Sequence, residues 1–143
     1  MTIETVLSDK GSDVATVARD ATLGEAVKQL AERRIGALVV LDEQGAVAGI
    51  ISERDLVQCL AVHGEAALSE SVAKAMTRDV VTAARDTPIL SALSIMTSKR
   101  IRHLPVVEDG RLAGIVSIGD LVKHRLQRIE QEADAMRAYI QAS

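Results

Sequence analysis

Two short stretches of the sequence place a serine three residues before an aspartate. "GIISERDLV" contains Ser52 and Asp55, and "GIVSIGDLV" contains Ser117 and Asp120. Each stretch has an apolar run before the serine and a helix-forming run after it, which predicts a strand that turns into a helix. A helix N-terminus exposes unpaired N–H groups and favours an anion. A carboxylate at such a corner can accept both hydroxyls of a ribose, and the serine hydroxyl can serve a ribose or a phosphate.

Helix capping is the simpler interpretation of these corners, because serine and aspartate are both favoured N-cap residues. Capping alone, however, needs only one of the two side chains. The occurrence of Ser-x-x-Asp in both stretches, each after a glycine and two apolar residues, therefore favours a binding site.

Basic residues near the second corner are candidates for holding phosphate. Arg102 and His103 precede the apolar run "LPVV", and an arginine can bind a phosphate through two parallel hydrogen bonds. The aligned positions of the first copy are Gly36 and Ala37, a loss that Arg54 partly offsets. We therefore expect two unequal sites, with the Asp120 corner better suited to a phosphate. A further set of cations can also be read as solvated helix ends stabilised by the helix dipole: Arg33, Arg34, Lys99 and Arg100.

The surroundings of the two corners are also duplicated. Asp13–Val57 aligns with Asp79–Val122 with one gap opposite Gln44, and 19 of the 44 aligned positions are identical. Ordinary composition would give roughly two or three identities by chance. The chain is therefore an internal repeat, and each copy reads as β-α-β-β-α.

Helix signals follow the same order in both copies. In the first copy, Thr22 and Glu25 have the capping-box spacing, and apolar residues then recur with helical periodicity. In the second copy, Thr87 is predicted to be the N-cap, with Pro88 at the first helical position. The last helix of each unit is expected to begin at Asp55 or Asp120.

The strand signals predict a short extended segment and a hairpin in each copy. The extended segments are "DVATV" and "DVVTA", and the hairpins join "ALVVL" to "AVAGIIS" and "LPVVE" to "RLAGIVS". A unit of about 45 residues is too small to bury a core by itself. We therefore predict a mixed α/β (α+β) fold in which the two repeats pack about a pseudo-twofold axis. The predicted organisation is repeat 1 with the N-terminal segment over 1–64, a linker over 65–78, repeat 2 over 79–124, and a C-terminal helical extension over 125–143.

The C-terminal extension carries an apolar seam with spacings of four and three residues, which is typical of helix pairing. Two alternatives remain for this seam: packing on its own domain, or a contact between two copies of the chain. The seam consists of Val122, Leu126, Ile129, Ala133, Met136 and Ile140.

Composition excludes several other classes of protein. The net charge is −3, Trp and Phe are absent and Tyr139 is the only aromatic residue, which argues against a nucleic-acid binder. No signal peptide or membrane-spanning run is present, so a cytoplasmic location is expected. The three histidines are not spaced as a zinc site, and Cys59, the single cysteine, is interpreted as a small buried apolar residue. Gly119 would let the backbone approach a ligand, although one glycine is weak evidence.

The duplicated unit and its two Gly-apolar-apolar-Ser-x-x-Asp motifs resemble a CBS-domain pair, also called a Bateman module, of the stand-alone bacterial type. "RIRHLPVVEDGRLAGIVS" is especially typical of it. The resemblance implies an adenosine-containing ligand (AMP, ADP, ATP, NAD or S-adenosylmethionine) in clefts between the repeats, and pairing of modules into disc-like dimers. The implied roles are ribose binding by Asp55 and Asp120, contacts to ribose or phosphate by Ser52 and Ser117, phosphate binding by Arg102 and His103, and an adenine lining near Thr16 and Thr82.

We therefore predict a non-catalytic regulatory module that binds an adenine nucleotide, uses no metal, and acts as a homodimer. Little sequence lies outside the repeats, so the output is expected to pass through an effector protein of unknown identity or through the protein's own oligomeric state. Neither nucleic acid nor a membrane is expected as a partner. One alternative is a dimerisation or docking module with vestigial pockets. Another is an enzyme that uses His103, but a single histidine is a weak basis for catalysis.

Overall fold

The computed structural model describes residues 1–142 and has a mixed α/β fold. The helices are α1 (Ile3–Lys10), α2 (Leu23–Arg33), α3 (Glu53–His63), a 3-10 helix (Gly64–Ser69), α4 (Val72–Ala75), α5 (Ile89–Lys99) and α6 (Ile118–Ala142). The strands are β1 (Thr16–Ala18), β2 (Ala37–Leu41), β3 (Val47–Ser52), β4 (His103–Glu108) and β5 (Arg111–Ser117).

The two hairpins repeat each other in detail. β2 pairs with β3, and β4 pairs with β5, in antiparallel register with one irregularity each. The irregularities fall after Val40 and Val106, which are equivalent positions of the two copies. Gly45 and Gly110 close the turns with φ of 80° and 75°, a region that side-chain-bearing residues rarely adopt. The duplication predicted from the sequence is therefore reproduced in the backbone.

The first long helix of each repeat also ends in the same way. α2 and α5 are each 11 residues long, and Arg34 and Arg100 follow them in the left-handed conformation with φ of 56°. The capping box predicted for Thr22 and Glu25 is confirmed. The N-cap prediction for Thr87 is wrong, because its hydroxyl accepts a hydrogen bond from the Ala84 amide instead and the helix begins one residue later.

The extended segments that open the repeats differ. β1 pairs in parallel with β2 and gives the first repeat a three-stranded sheet. The predicted strand "DVVTA" is reduced to a single bridge between Ala83 and Val106, so the second sheet has two strands. The bridge still occupies the position equivalent to the pairing of Val17 with Val40.

Each repeat has its own apolar core. The first core is built mainly on α2, β2 and β3, and the second on α5, β4 and β5. Helix α1 precedes the first repeat in sequence, and the sequence analysis grouped it there, but its buried residues belong to the second core. These residues are Ile3, Val6 and Leu7.

The segment before each repeat packs on the other repeat. The amides of Ile3 and Glu4 donate to carbonyls of 85–87, whereas Thr77, just after α4, exchanges two hydrogen bonds with Ile50 of the first repeat. Glycine allows the close approach on both sides, because a Cβ at Gly49 would lie 2.8 Å from the Thr77 carbonyl oxygen and one at Gly114 would lie 2.8 Å from Leu7 Cδ2. Residues 65–78, predicted as a linker, thus include a 3-10 helix and α4.

Helix α6 is buried only near its start, at Leu121 and His124. His124 lies 3.0 Å from the Asp9 carboxylate, a contact between α6 and α1. Further along, the apolar seam faces outward: Leu126 is 55% exposed and Met136 is 60% exposed. These two side chains are therefore largely uncovered within residues 1–142, although Arg125, Arg128 and Glu132 of the same helix line a groove with the start of α5. Among residues 1–142, no helix combines the length and the apolar character needed to cross a bilayer.

Candidate nucleotide clefts

The two Ser-x-x-Asp corners form the ends of strands and the first turns of helices, as predicted, but the helices begin earlier than expected. α3 starts at Glu53 and α6 at Ile118, so each serine precedes its helix by one residue and each aspartate lies in the third helical position. The Ser52 hydroxyl accepts from the Asp55 amide, and the Asp55 carboxylate accepts from the Ser52 amide. Ser117 and Asp120 exchange the same two hydrogen bonds.

This arrangement is a capping box, so the expectation that capping needs only one of the two side chains is wrong. Capping uses both side chains of the pair, because each satisfies a different unpaired amide. The presence of both residues in both repeats therefore has a local structural explanation. The case for a binding site depends instead on what faces the corners.

The Asp55 carboxylate is held by Ser52 of its own repeat and by Thr77 of the segment that precedes the second repeat. Oδ2 accepts from the Ser52 amide at 2.9 Å and from the Ser52 hydroxyl at 3.0 Å, and Oδ1 accepts from the Thr77 hydroxyl at 3.3 Å. The hydrogen bond that the Thr77 hydroxyl donates is long and therefore weak. A ligand hydroxyl could replace it without breaking the capping box.

Asp120 has a different neighbour. Lys10, the last residue of α1, donates to Asp120 Oδ2 at 2.7 Å and to the Ile115 carbonyl at 2.9 Å. Burial would by itself raise the pKa of the Asp120 carboxyl, but the hydrogen bonds from Lys10 and Ser117 outweigh it and hold that pKa below its usual value. Asp120 is therefore an anion already paired with a cation.

A cleft of about 590 Å³ lies at the Asp120 corner. Its walls come from both repeats: the corner and β5 belong to the second repeat, and the end of α2 with the start of β2 belongs to the first. Its lining includes Lys10, Asp13, Arg33, Arg34, Gly36, Ala37, His103, Ser117 and Asp120.

A second cleft, of about 530 Å³, lies at the Asp55 corner and is built the other way round. Here the corner belongs to the first repeat, and the end of α5 with the start of β4 belongs to the second. Its lining includes Ser52, Glu53, Arg54, Asp55, Thr77, Lys99, Arg100, Arg102 and His103. Both clefts have the size of a small-molecule site.

The clefts thus combine the corner of one repeat with the basic helix end of the other. Arg102 lines the cleft of Asp55, not that of Asp120, so the predicted grouping of Arg102 with the second corner is wrong. Successive side chains of a strand point to opposite sides, and Arg102 comes immediately before His103, which pairs with Ser117 in β5. The Asp55 cleft has four arginines and lysines and two acids, whereas the Asp120 cleft has three and two.

His103 lines both clefts and lies in the wall between them. A Cβ at Gly36 would come within 3.2 Å of the His103 ring, so the absence of a side chain at 36 makes room for the imidazole. Burial lowers the pKa of His103, and Asp120 opposes the effect in part. Burial therefore favours the neutral form of the ring.

Three other predicted site residues do not line either cleft: Thr16, Thr82 and Gly119. Gly119 is exposed in the first turn of α6, and a Cβ there would meet only the Ser117 hydroxyl at an ordinary 3.6 Å. Ala15, the neighbour of Thr16, lines the Asp120 cleft, and Thr77 lines the Asp55 cleft. Lys10 is the main cleft residue that sequence reasoning missed, because α1 lies outside the repeat alignment.

Comparison with known proteins identifies the family. A family model described as "CBS domain" matches the chain twice, over residues 7–62 and 71–127. The chain belongs to the CBS-domain family and carries two copies of the domain, as the sequence predicted. It is 38% identical to the CBS domain-containing protein CBSX3, mitochondrial, of Arabidopsis thaliana, over 98% of this chain and 72% of that protein.

Solved structures agree with this assignment. The CBS-domain containing protein ATU1752 from Agrobacterium tumefaciens is 48% identical, with a TM-score of 0.84, over 87% of this chain and 92% of that chain. The CBS domain pair of protein MJ0100 is 28% identical, with a TM-score of 0.77, over 90% and 98% of the two chains. That pair was crystallised in complex with 5′-methylthioadenosine and S-adenosyl-L-methionine.

Proposed function

We propose that this protein is a non-catalytic regulatory module that binds an adenine nucleotide of the AMP, ADP, ATP or NAD class in the clefts between its repeats. The observation that carries the proposal is the construction of the clefts. In each cleft, a carboxylate in the first turn of a capped helix faces basic residues at the end of a helix of the other repeat. Such a cleft could hold the ribose hydroxyls of a nucleotide on the carboxylate and its phosphate on the basic side chains of the facing wall.

The Asp55 cleft is the better candidate for a phosphorylated ligand. It has the larger excess of basic side chains, and among residues 1–142 the only hydrogen bond to Asp55 Oδ1 is the long one from Thr77. In this cleft Asp55 would hold the ribose hydroxyls, and Arg102 would bind phosphate, helped by Arg54 or Arg100. The relative MJ0100 supports an adenosine ligand in general, since both of the compounds named with it contain adenosine.

A second ligand in the Asp120 cleft would meet Lys10 at the carboxylate that is proposed to bind ribose. The Lys10 ammonium already occupies Asp120 Oδ2, so ribose hydroxyls have to compete with it or use the other oxygen. Because Lys10 ends α1, occupancy of this cleft would be linked to the position of that helix. A ligand shifts such an equilibrium only if it binds the two arrangements unequally.

The module would act as a homodimer that passes its signal to an effector protein. The outward-facing seam of α6 supports this proposal, because Leu126 and Met136 are more than half exposed while spaced for helix pairing. A dimerisation or docking module with vestigial pockets is the second candidate, favoured by the same seam. The cytoplasmic location predicted from the sequence stays a prediction, and the Arabidopsis relative is named as mitochondrial.

A thermal-shift panel tests the proposal. AMP, ADP, ATP, NAD and S-adenosylmethionine are each added to the wild type and to Asp55→Asn and Asp120→Asn, which keep a side-chain oxygen for the capping box. A ligand at 100 times its dissociation constant adds about 2.7 kcal/mol, which corresponds to a rise of roughly 5–11 °C in Tm for this size of chain. A rise with one nucleotide that is lost in Asp55→Asn supports the proposal. No rise with any compound at millimolar concentration would favour the docking module.

A further inference from the structure

Three side chains with metal-binding chemistry converge outside both clefts. Cys59 and His63 lie four residues apart on α3 and therefore share one face of the helix. Glu70 approaches that face from the chain that follows. Its Oε2 lies 3.5 Å from Cys59 Sγ, its Oε1 lies 3.9 Å from His63 Nδ1, and the three ligand atoms are all within 4.8 Å of one another.

The backbone fixes the position of Glu70 independently of these contacts. Gly64 ends α3 with φ of 63° and ψ of −151°, a conformation essentially limited to glycine, and reverses the chain into the 3-10 helix. Ala67 anchors that helix in the first core with no exposed surface. The Glu70 amide then donates to the Ala67 carbonyl, and the Glu70 carbonyl accepts from the Leu23 amide. The segment that carries Glu70 is therefore anchored by hydrogen bonds on both sides of the residue, which holds the carboxylate next to α3.

We propose that Cys59, His63 and Glu70 form a Zn²⁺ site, with water as the fourth ligand. The donor set is a thiolate, an imidazole and a carboxylate, and zinc binds all three types in tetrahedral geometry. With Zn–S of about 2.3 Å and Zn–N or Zn–O of about 2.0–2.1 Å, neighbouring ligand atoms are roughly 3.3–3.6 Å apart. The observed spacing of Cys59 and Glu70 already falls in this range, whereas the 3.9 Å between His63 Nδ1 and Glu70 Oε1 has to shorten when zinc binds.

The charges of the cluster also suit a divalent cation. Cys59 gives up its thiol proton to solvent when zinc binds, and the resulting thiolate and the Glu70 carboxylate together neutralise the metal. Without metal, burial and then the hydrogen bond and charge of Glu70 raise the pKa of the Cys59 thiol.

His63 is the ligand that opens the site to solvent. Its side chain is about half exposed, whereas that of Glu70 is 25% exposed, so metal can enter from the His63 side. None of the three residues lines either nucleotide cleft. The metal proposal is therefore independent of the nucleotide proposal, and either can fail alone.

Cobalt provides the direct test, because Co²⁺ substitutes for zinc and reports its ligands in its absorption spectrum. The full chain, kept reduced by a non-thiol reductant, is titrated with Co²⁺ and then with Zn²⁺. We expect one Co²⁺ per chain, a thiolate-to-cobalt charge-transfer band in the near ultraviolet, tetrahedral d–d bands in the visible range, and loss of both on addition of zinc. Absence of the charge-transfer band in the wild type would overturn the proposal.

Matched variants identify the ligands. Cys59→Ser should abolish the charge-transfer band, and Glu70→Gln and His63→Gln should each weaken Co²⁺ binding by at least about 100-fold, since even the outer partners of metal ligands contribute 10–100-fold. Glu65→Gln is the control, because it removes one negative charge from the same exposed segment without touching the cluster. His63→Gln also covers the case in which another variant fails to fold, since His63 is not in either core. A band that survives Cys59→Ser, or equal losses in Glu65→Gln and Glu70→Gln, would contradict the site.

Discussion

Replacing Leu7 by alanine tests how the second repeat completes its core. Leu7 belongs to α1, which precedes the first repeat, yet only 2% of its surface is exposed and it packs against Gly114 of β5. Truncating a buried leucine costs about 2–5 kcal/mol, through lost burial and the cavity left behind. For a chain of this size each kcal/mol corresponds to roughly 3 °C, so we expect Leu7→Ala to lower Tm by about 6–15 °C.

The matched control is Leu90→Ala in α5 of the same repeat. Leu90 is 59% exposed, so its truncation should change the free energy of unfolding by no more than about 0.5 kcal/mol. Urea unfolding of both variants and the wild type gives the comparison, provided that the m-values agree. A loss below about 1 kcal/mol in Leu7→Ala, or equal losses in the two variants, would refute the packing of α1 on the second repeat.

Two further predictions concern the contacts that shape the clefts. Gly49→Ala should destabilise the protein by about 1–3 kcal/mol, and by more than Gly114→Ala, because the new methyl group meets a backbone oxygen at position 49 and only a rotatable leucine end at position 114. Urea unfolding measures both, and a larger loss in Gly114→Ala would contradict the close approach at Gly49. Lys10→Met should lower the free energy of unfolding by about 0.5–1 kcal/mol at pH 7. The pKa of Asp120 is lower in the folded state than in the unfolded state. This contribution to the free energy of unfolding is therefore present above the pKa of the unfolded state, about 3.9, and is lost as pH falls through the pKa of the folded state. The same unfolding difference at pH 7 and at about pH 2 would show that Lys10 does not act through the Asp120 carboxylate.

Local structure could be predicted closely from the sequence. The strands Ala37–Leu41 and Arg111–Ser117 have the predicted bounds, because each is a short apolar run next to turn residues. The capping box at Thr22 was recognised from its spacing. The capping boxes at Ser52 and Ser117 were not recognised from the sequence, because aspartate replaces the usual glutamate in the third helical position.

Contacts between the repeats could not be predicted in the same way. Arg102 and Asp120 belong to the same copy of the repeat, and the sequence therefore grouped them in one site. In the structure, Arg102 lines the cleft of Asp55. That choice depends on how the two repeats face each other, which no local pattern encodes. Lys10 was missed for a related reason: α1 has no aligned counterpart, and its place on the second core follows from long-range packing.

Each cleft combines the Ser-x-x-Asp corner of one repeat with basic residues of the other, and isothermal titration calorimetry tests this arrangement most directly. The nucleotide that gives the largest thermal shift is titrated into the wild type, Arg102→Ala, Asp55→Asn and Asp120→Asn. We predict that Arg102→Ala and Asp55→Asn abolish or strongly weaken the same binding event, and that Asp120→Asn leaves this event unchanged. If Arg102→Ala and Asp120→Asn instead remove one common event while Asp55→Asn retains it, each cleft uses a single repeat and the account is wrong.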